Sequence, residues 1–276
     1  MFKFSQTFSI RSVLLSLKKC QQKRKYGRSF YDTGLKPLTY TTESVGDPSS
    51  IDYRLFVKNR DSASPDSFIS FWHDIPFAAD HPSLHGDLLL NMVTEIPKGA
   101  RAKLEMSKSE PYNPICHTIN ENKQIHTIKH SPVLYNYGFI PRTWEDPSVA
   151  SFDNKYYGDD DPLDVIDIGY KFKPPGLVYR VKLLGSLALI DQGEIDWKLI
   201  TISIDDPLCT RINTVEDIET FKPGITATLK DWYQNYKVVE GKNVNAFELG
   251  GVVKDREFTF KIIQQAHENW KKLNKN

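Results

Sequence analysis

Short strand-like runs, most of them ended by a glycine, proline or aspartate, follow one another through the middle of the sequence. The clearest are LLLNMVTEIP, ARAKLEMSK, KQIHTIKH, VLYNYGFIP, PLDVIDIGY, GLVYRVKLLGSLALI and DWKLITISI. Strands at this spacing are typical of antiparallel sheets that close into a barrel. We therefore expect a closed or nearly closed antiparallel barrel, in which ARAKLEMSK is the hairpin partner of LLLNMVTEIP.

The last quarter of the chain changes to a helical period. NTVEDIETF begins with Asn213 or Thr214 as an N-cap and is interrupted by Pro223. A second stripe at helical spacing follows, made of Ile225, Leu229, Trp232, Tyr233 and Tyr236. A final helix over about Arg256 to Leu273 is expected to bury Ile263, Ala266, Trp270 and Leu273. Both stripes are expected to pack on the barrel, which makes the fold α+β and mainly β.

The N-terminus is strongly basic. Residues 1–31 contain eight lysines and arginines and no acid. This composition is typical of a mitochondrial transit peptide, whereas a secretory signal has a longer unbroken apolar core. A disordered basic tail of a cytosolic protein is the alternative. We expect residues 1–27 to be a leader that is cleaved near RKYGRSF, and residues 28–276 to form a single domain in the mitochondrial matrix.

The remainder of the chain is acidic. Once the eight basic residues of the N-terminus are set aside, 28 lysines and arginines stand against 35 acids. Nucleic-acid-binding proteins present basic surfaces, so this balance argues against such a partner. No apolar run approaches the ~18 residues of a membrane span. The three cysteines, Cys20, Cys116 and Cys209, follow no disulfide or metal-site spacing. The composition predicts a globular protein without a nucleic-acid partner or a membrane span.

The segment GDDDPLDVIDIG, residues 158–169, concentrates carboxylates ahead of and within an apolar run. Repulsion between neighbouring carboxylates costs free energy unless a cation lies among them or water surrounds them. A turn around Pro162 can direct Asp159, Asp161 and Asp164 toward one volume. An EF-hand loop is excluded, because the position that requires glycine holds Asp164. Two interpretations remain, a solvated acidic turn and a metal site.

Other charged residues favour the metal site. They are Glu95 at a strand end, Arg101, Lys103 and Glu105 on one face of the next segment, and Asp191, Asp196 and Lys198 around a later hairpin. With the aspartate-rich segment they provide seven carboxylates, and two lysines are interleaved among them. Such hard oxygen ligands suit several Mg²⁺ or Mn²⁺ ions and not Zn²⁺. A site of this kind calls for a multiply charged anionic ligand, and phosphate fits that need.

GDDDPLDV resembles the signature of the soluble family I inorganic pyrophosphatases, Asp-x-Asp-Pro-Leu-Asp followed by an apolar residue. The likeness extends in order through EIPKGARAKLEMSK, YNYGFIPRTWEDP, LGSLALIDQGEIDWKLI and WYQNYKVVEGKNVNAF. With its leader, the chain is most similar to a mitochondrial member of the fungal and animal type. The resemblance implies a five-stranded, OB-like closed barrel with peripheral hairpins and C-terminal helices packed outside, and a homodimer. It also implies Mg²⁺-dependent hydrolysis of pyrophosphate to two phosphates by a metal-activated water.

The resemblance further implies roles for individual residues. The metal ligands would be Asp159, Asp164 and Asp196 for the first ion, Glu105 and Asp191 with Asp196 for ions that arrive with substrate, and Glu95 in support. Asp161 would lie beside the nucleophilic water. The phosphoryl oxygens would be contacted by Lys103, Tyr137, Lys198, Tyr236 and Lys237, with Lys242 as a weaker candidate.

The chain departs from the family pattern before NYG, where family members carry an arginine that grips phosphate. The segment HTINENKQIHTIKHSPVLYNYG contains no arginine, and Val133 stands where a tyrosine is usual. The candidates to substitute are Lys123, Lys129 and Arg101, with Tyr135 nearby, although lysine lacks the planar fork of arginine. We therefore expect a slow enzyme, since a lost preorganised donor costs on the order of 10²- to 10³-fold in rate.

Two other functions compete with this interpretation. A catalytically weakened, pyrophosphatase-like paralogue with a binding or assembly role would explain the missing arginine and tyrosine. A metal-dependent phosphoesterase acting on nucleotides would use similar metal chemistry, but the sequence contains no adenine-binding motif. Phosphate release from pyrophosphate or from ATP distinguishes these possibilities.

Overall fold

The computed structural model describes residues 38–78, 89–150 and 155–273, so the predicted leader lies outside the described residues. The strands are β1 Tyr40–Val45, β2 Arg54–Asn59, β3 Phe68–Ile69, β4 Leu89–Ile96, β5 Leu104–Met106, β6 Ile115–His117, β7 Asn136–Phe139, β8 Asp164–Asp167, β9 Val178–Asp191, β10 Glu194–Ser203, β11 Ala246–Phe247 and β12 Lys254–Asp255. The helices are α1 Val215–Phe221, α2 Ile225–Asn235 and α3 Arg256–Leu273, with 3-10 helices at Val238–Glu240 and Leu249–Gly251. The prediction of a mainly β fold with C-terminal helices is confirmed.

The larger sheet has the strand order β10-β8-β7-β4-β9-β11, and β12 also pairs with β9. Strand β10 pairs with β9 as well as with β8, so the pairings lead from β10 through β8, β7, β4 and β9 back to β10. The prediction of purely antiparallel pairing is wrong at β8 and β10, which are parallel. The chain runs from β8 into the long β9 and turns back into β10, so β10 takes the direction of β8.

The smaller sheet has the order β1-β2-β6-β5, with β3 on β2. Strand β5, which lies in ARAKLEMSK, pairs with β6, so the predicted hairpin with β4 is wrong. At the end of β4, Glu95 Oε1 accepts a hydrogen bond of 2.7 Å from the Met106 amide, and this contact links the two strands through a side chain. The segment KQIHTIKH forms only isolated bridges, at Ile125 and Thr127, and is not the strand that its alternation predicted.

Strand β9 is apolar on both of its faces. Leu187 and Leu189 pack with residues of α1 and α2, whereas the alternate residues Ala188 and Ile190 pack with residues of α3. A third apolar cluster joins the two sheets and includes residues of β2, β4 and β7. Because successive side chains of a strand point to opposite faces, a strand that is covered on both faces becomes a continuous apolar run in sequence.

The helices begin and end close to their predicted positions. Thr214 caps α1 by a reciprocal pair of hydrogen bonds with Asp217, which confirms the predicted N-cap. Helix α2 ends at Asn235, and the two residues that follow it, Tyr236 and Lys237, enter the cleft described below. Helix α3 has the bounds that the sequence predicted. Over the described residues, no helix combines the length and the apolar composition needed to cross a membrane.

Candidate active site

A cleft of about 320 Å³ opens where the two sheets and the end of α2 meet, and we call it the acidic cleft. Its lining includes the twelve side chains of the principal predicted set, which are Glu95, Lys103, Glu105, Tyr137, Asp159, Asp161, Asp164, Asp191, Asp196, Lys198, Tyr236 and Lys237. The weaker candidate, Lys242, is not part of this lining, and its ammonium donates to Gln192 Oε1 over 3.4 Å. The twelve residues come from β4, from β5 and the residue before it, from β7, from β8 and the turn before it, from the β9–β10 hairpin and from the two residues that follow α2. Side chains that are far apart in the sequence therefore share one volume.

The aspartate-rich turn before β8 is held by backbone contacts to residue 145. The Asp160 amide donates to the Glu145 carbonyl over 3.0 Å, and the Glu145 amide donates to the Asp161 carbonyl over 2.8 Å. The Asp161 amide also donates to Asp159 Oδ1 over 3.0 Å. Gly158 approaches the same neighbour so closely that an added Cβ would lie 2.3 Å from the Glu145 carbonyl oxygen. These contacts fix the turn so that Asp159 and Asp161 both line the cleft.

Lys198 lies among the carboxylates at the centre of the cleft. Its ammonium contacts Asp164, its register partner on the neighbouring strand, and donates to Asp196 Oδ1 over 2.6 Å. Tyr137 completes this group, because its hydroxyl donates to Asp164 and lies 3.2 Å from Lys198 Nζ. Burial lowers the pKa of Lys198, but the charges of Asp164 and Asp196 outweigh burial and hold that pKa well above its ordinary value. The lysine is therefore a permanent cation in the cleft.

Asp159 and Asp196, which line the cleft, form a tighter group with Glu145, which is not itself part of the lining. Glu145, Asp159 and Asp196 each offer an oxygen, and these oxygens lie within 4.8 Å of one another. Burial, followed by repulsion from Asp196, raises the pKa of Asp159 to about 8. Burial also raises the pKa of Asp196 to about 7, although Lys198 opposes the shift. Without a cation of higher charge, these acids are costly to ionise together.

The donor set of the cleft fits hard divalent cations. Glu145 Oε2 and Asp191 Oδ1 are buried and accept no hydrogen bond from the described part of the chain. Buried oxygens of this kind normally have a partner, and a metal ion can supply it. The sequence identified most of these oxygens, but Glu145 was not among the predicted ligands. Because the available ligands are carboxylate oxygens, the cleft suits Mg²⁺ or Mn²⁺.

The far end of the cleft combines the β9–β10 hairpin with the end of α2. Asp191 pairs with the Lys237 ammonium, and Asp191 Oδ2 accepts a hydrogen bond of 3.1 Å from the Tyr236 hydroxyl. Across the cleft, Lys103 forms an ion pair with Glu105. Each of these lysines therefore neutralises one carboxylate, and both remain positioned to contact an anion.

Comparison with known proteins agrees with this chemistry. Residues 92–271 match the family described as inorganic pyrophosphatase. The chain belongs to the inorganic pyrophosphatase family. An inorganic pyrophosphatase of Eremothecium gossypii is 39% identical over 239 residues, which are 86% of this chain and 80% of that protein. Inorganic pyrophosphatase 2, mitochondrial, of Mus musculus is 40% identical over 248 residues, which are 85% of this chain and 74% of that protein.

Solved structures of the pyrophosphatase family share the fold. The N-terminally truncated vacuolar soluble pyrophosphatase of Trypanosoma cruzi, in complex with PPi, matches this chain with a TM-score of 0.82 at 34% identity. The match covers 89% of this chain and 95% of that chain. Inorganic pyrophosphatases hydrolyse pyrophosphate, so this is a family of enzymes.

The predicted substitutes for the pyrophosphatase arginine do not line the cleft. Lys123 and Lys129 are absent from its described lining, and the Arg101 guanidinium donates to the carbonyls of residues 128 and 129. Tyr135 packs against the apolar core of the larger sheet instead. The segment instead directs the imidazole of His126 into the cleft, where its Nε2 lies 3.3 Å from Glu240 Oε1.

Sequence reasoning missed several residues of the cleft. They are Lys108, His126, Tyr233 and Glu240. The alternation of the segment offered one usable signal for His126. His126 is two positions from the buried Ile128, so an extended segment places both side chains on the same face, and both line the cleft. Lys108 follows the end of β5 in an irregular loop, so no periodic pattern could have assigned its direction.

Proposed function

We propose that this chain hydrolyses inorganic pyrophosphate to two phosphates in a Mg²⁺-dependent reaction. One observation carries the proposal, namely that seven carboxylates and three lysines of the predicted set line a single cleft. A pyrophosphate ion carries several negative charges, so it can enter such a cleft only with cations that offset the carboxylates. Family membership and the PPi-bound Trypanosoma cruzi relative support the same substrate.

Metal binding is assigned to the carboxylates. We expect Asp159, Asp164 and Asp196 to hold the first ion, and Glu105 and Asp191 to hold further ions with Asp196. Glu95 supports this group from β4, because it is buried and already bonded to the Met106 amide. When bound, divalent ions of this kind acidify a coordinated water and neutralise phosphoryl charge.

The remaining predicted residues act on the water and the phosphoryl groups. Asp161, at the exposed side of the aspartate-rich turn, accepts a hydrogen bond from the attacking water and orients it. Lys103, Lys198 and Lys237 donate to phosphoryl oxygens and offset their charge. The hydroxyls of Tyr137 and Tyr236 donate to the phosphate that leaves. These hydrogen bonds hold the leaving oxygen in line with the phosphorus and the attacking water.

The same proposal includes the architecture and the location. The pairings that return from β9 to β10 support the five-stranded, OB-like closed barrel with peripheral hairpins. The basic composition of residues 1–27 and the mitochondrial relative in Mus musculus support a cleaved leader and the mitochondrial matrix. Residues 28–276 then form one domain, and two copies form a homodimer. A reporter protein fused to residues 1–27 tests the leader. We expect the fusion to be imported into mitochondria and residues 1–27 to be removed there.

The deciding experiment is a phosphate-release assay with purified protein, pyrophosphate and titrated Mg²⁺. We expect Mg²⁺-dependent release that Asp161→Asn reduces by about 10²-fold or more, since a group that orients a nucleophile contributes about that much. No release above the Asp161→Asn background would instead favour the weakened paralogue with a binding or assembly role. Faster hydrolysis of ATP than of pyrophosphate would favour the nucleotide phosphoesterase.

A further inference from the structure

We propose that Lys108 and Asp160 form a positioning pair that orients the Asp161 carboxylate. The inference rests on the proposed function, in which Asp161 orients the attacking water. Neither residue belongs to the predicted site. Lys108 lines the acidic cleft, whereas Asp160 separates the two aspartates of the turn, Asp159 and Asp161, that face into it.

The Lys108 ammonium is committed to the aspartate-rich turn. Its Nζ lies 2.9 Å from Asp161 Oδ1, 2.8 Å from Asp160 Oδ2 and 2.7 Å from the Asp160 carbonyl oxygen. An ammonium group has three hydrogens, and these three acceptors use all of them. Lys108 therefore binds the turn itself, unlike Lys103 and Lys198, which pair with carboxylates deeper in the cleft.

Asp160 is held from the opposite side by Trp144. The indole Nε1 donates to Asp160 Oδ1 over 2.9 Å, and the Trp144 amide donates to the carbonyl of Ala266 in α3 over 3.0 Å. The Asp160 backbone has a φ of 69°, in the left-handed region that aspartate adopts more readily than most residues. Asp160 thus connects α3, through Trp144, to the loop after β5, through Lys108.

This connection defines which oxygen of Asp161 faces the reaction. The Asp161 side chain is 51% exposed, so its orientation depends on local contacts more than on packing. Lys108 binds Oδ1, which leaves Oδ2 as the oxygen that can accept a hydrogen bond from the water. Exposed ion pairs add little to stability, but a displacement of about 1 Å at a reacting group can cost about 10²-fold in rate. The pair should therefore affect kcat far more than folding.

A double-mutant cycle tests the proposal through the assay for phosphate release. We expect Lys108→Met to lower kcat by about 10- to 100-fold with little change in KM, and Lys108→Arg to restore much of the loss. In the Asp161→Asn background the same Lys108→Met substitution should change kcat less than about threefold, because the residue that it positions is already disabled. An equal loss in both backgrounds, together with a raised KM, would show that Lys108 binds substrate directly and would overturn the proposal.

Substitutions of Asp160 separate its side chain from its backbone. Asp160→Asn keeps the hydrogen-bond acceptor for Trp144 and the tolerance of positive φ, whereas Asp160→Gly keeps only the backbone conformation. We expect the glycine variant to lose more kcat than the asparagine variant, and both to lose less than Asp161→Asn. A glycine variant with the activity of the wild-type protein would contradict the proposal.

One readout does not depend on catalysis. The Trp144 indole N–H resonance, assigned by its loss in Trp144→Phe, should shift in Lys108→Met and in Asp160→Gly. It should stay in place in Lys271→Met, which removes only an exposed ion pair with Glu268. If the wild-type protein releases no phosphate and these shifts occur, the proposed function fails while the pairing stands. If the wild-type protein is active and Lys108→Met keeps its full kcat, the positioning role fails and the proposed function stands.

Discussion

Lys198 and Asp164 are register partners across the parallel β8–β10 pair, and the lysine ammonium contacts the aspartate inside the acidic cleft. The Lys198 side chain is only 4% exposed, and it contacts Asp196 as well. One buried lysine thus allows two carboxylates to lie close together. Divalent cations would offset the negative charge of the same two carboxylates with a higher positive charge. The lysine and the metal therefore stabilise the same carboxylates.

Replacing the buried lysine should make folding depend on metal. Without divalent cations, we expect Lys198→Met to lower the free energy of unfolding by about 3 kcal/mol, because two buried carboxylates lose their counter-charge. With saturating Mg²⁺ the loss should fall to less than half. Urea unfolding in EDTA and in Mg²⁺ measures both values. The exposed pair of Lys271 and Glu268 provides the control, since Lys271→Met should have no measurable effect in either condition. An equal loss with and without Mg²⁺ would contradict the prediction.

Binding of Mg²⁺ should release protons near neutral pH. In the metal-free protein the pKa of Asp159 is raised from 3.8 to about 8, and that of Asp196 from 3.8 to about 7. The folded state then binds more protons than the unfolded state between pH 4 and pH 8, roughly, so metal-free stability falls as pH rises through that window. Mg²⁺ requires the ionised carboxylates, so its affinity should rise with pH over the same range.

Titration calorimetry of Mg²⁺ binding at pH 7, in two buffers of different ionisation enthalpy, counts the protons released. We expect a difference in apparent enthalpy for the wild-type protein and a smaller one for Asp159→Asn, which has lost a titrating ligand. Identical enthalpies in the two buffers, or an affinity that does not rise from about pH 6 to about pH 8, would show that the carboxylates are already ionised before the metal binds.

An arginine at position 126 should speed the reaction. The His126 imidazole lies in the cleft near Glu240, but it lacks the planar, doubly donating fork that arginine offers to phosphate. We expect His126→Arg to raise kcat/KM about tenfold, which is less than the 10²- to 10³-fold of a fully preorganised donor. Steady-state phosphate release provides the measurement. Lys129→Arg is the matched control, because Lys129 is not part of the described lining, and it should leave kcat/KM unchanged.

Glu240 can also capture the new arginine and hide its effect. The double variant His126→Arg/Glu240→Gln removes that competing carboxylate, so it should show the full increase in kcat/KM. If the double variant is no faster than Glu240→Gln alone, position 126 does not contact the reacting phosphate.

A methyl group at position 158 should disturb metal binding. The Cβ of Gly158→Ala would lie 2.3 Å from the Glu145 carbonyl oxygen, so the aspartate-rich turn must move away from residue 145. Overpacking of this kind costs about 1–3 kcal/mol, and we expect the displaced Asp159 to weaken Mg²⁺ binding about tenfold. Calorimetric titration of Mg²⁺ checks the affinity. Gly241→Ala is the control. Gly241 has a φ of 80° but open space around its α-carbon, so the substitution should strain the backbone without changing Mg²⁺ affinity.

The sequence by itself determined the local structure and the chemistry of the cleft. The Thr214 cap, the bounds of α3 and the long apolar strands follow from patterns within one segment, where periodicity and capping act directly. Clusters of carboxylates and lysines in separate segments indicated a shared site, because such charges need one another or a cation. That reasoning, together with the family resemblance, selected twelve of the residues that line the cleft, but it did not select Lys108, His126, Tyr233 or Glu240.

Only the tertiary structure decided how the segments meet. The pairing of β5 with β6, the parallel register that brings Lys198 to Asp164, and the choice of His126 over Lys123 and Lys129 all depend on contacts between distant segments. The contact of Lys108 with the aspartate-rich turn is of the same kind. A local pattern records which face of a segment is apolar, but the partner of that face is selected by packing over the whole chain, and no single segment contains that information.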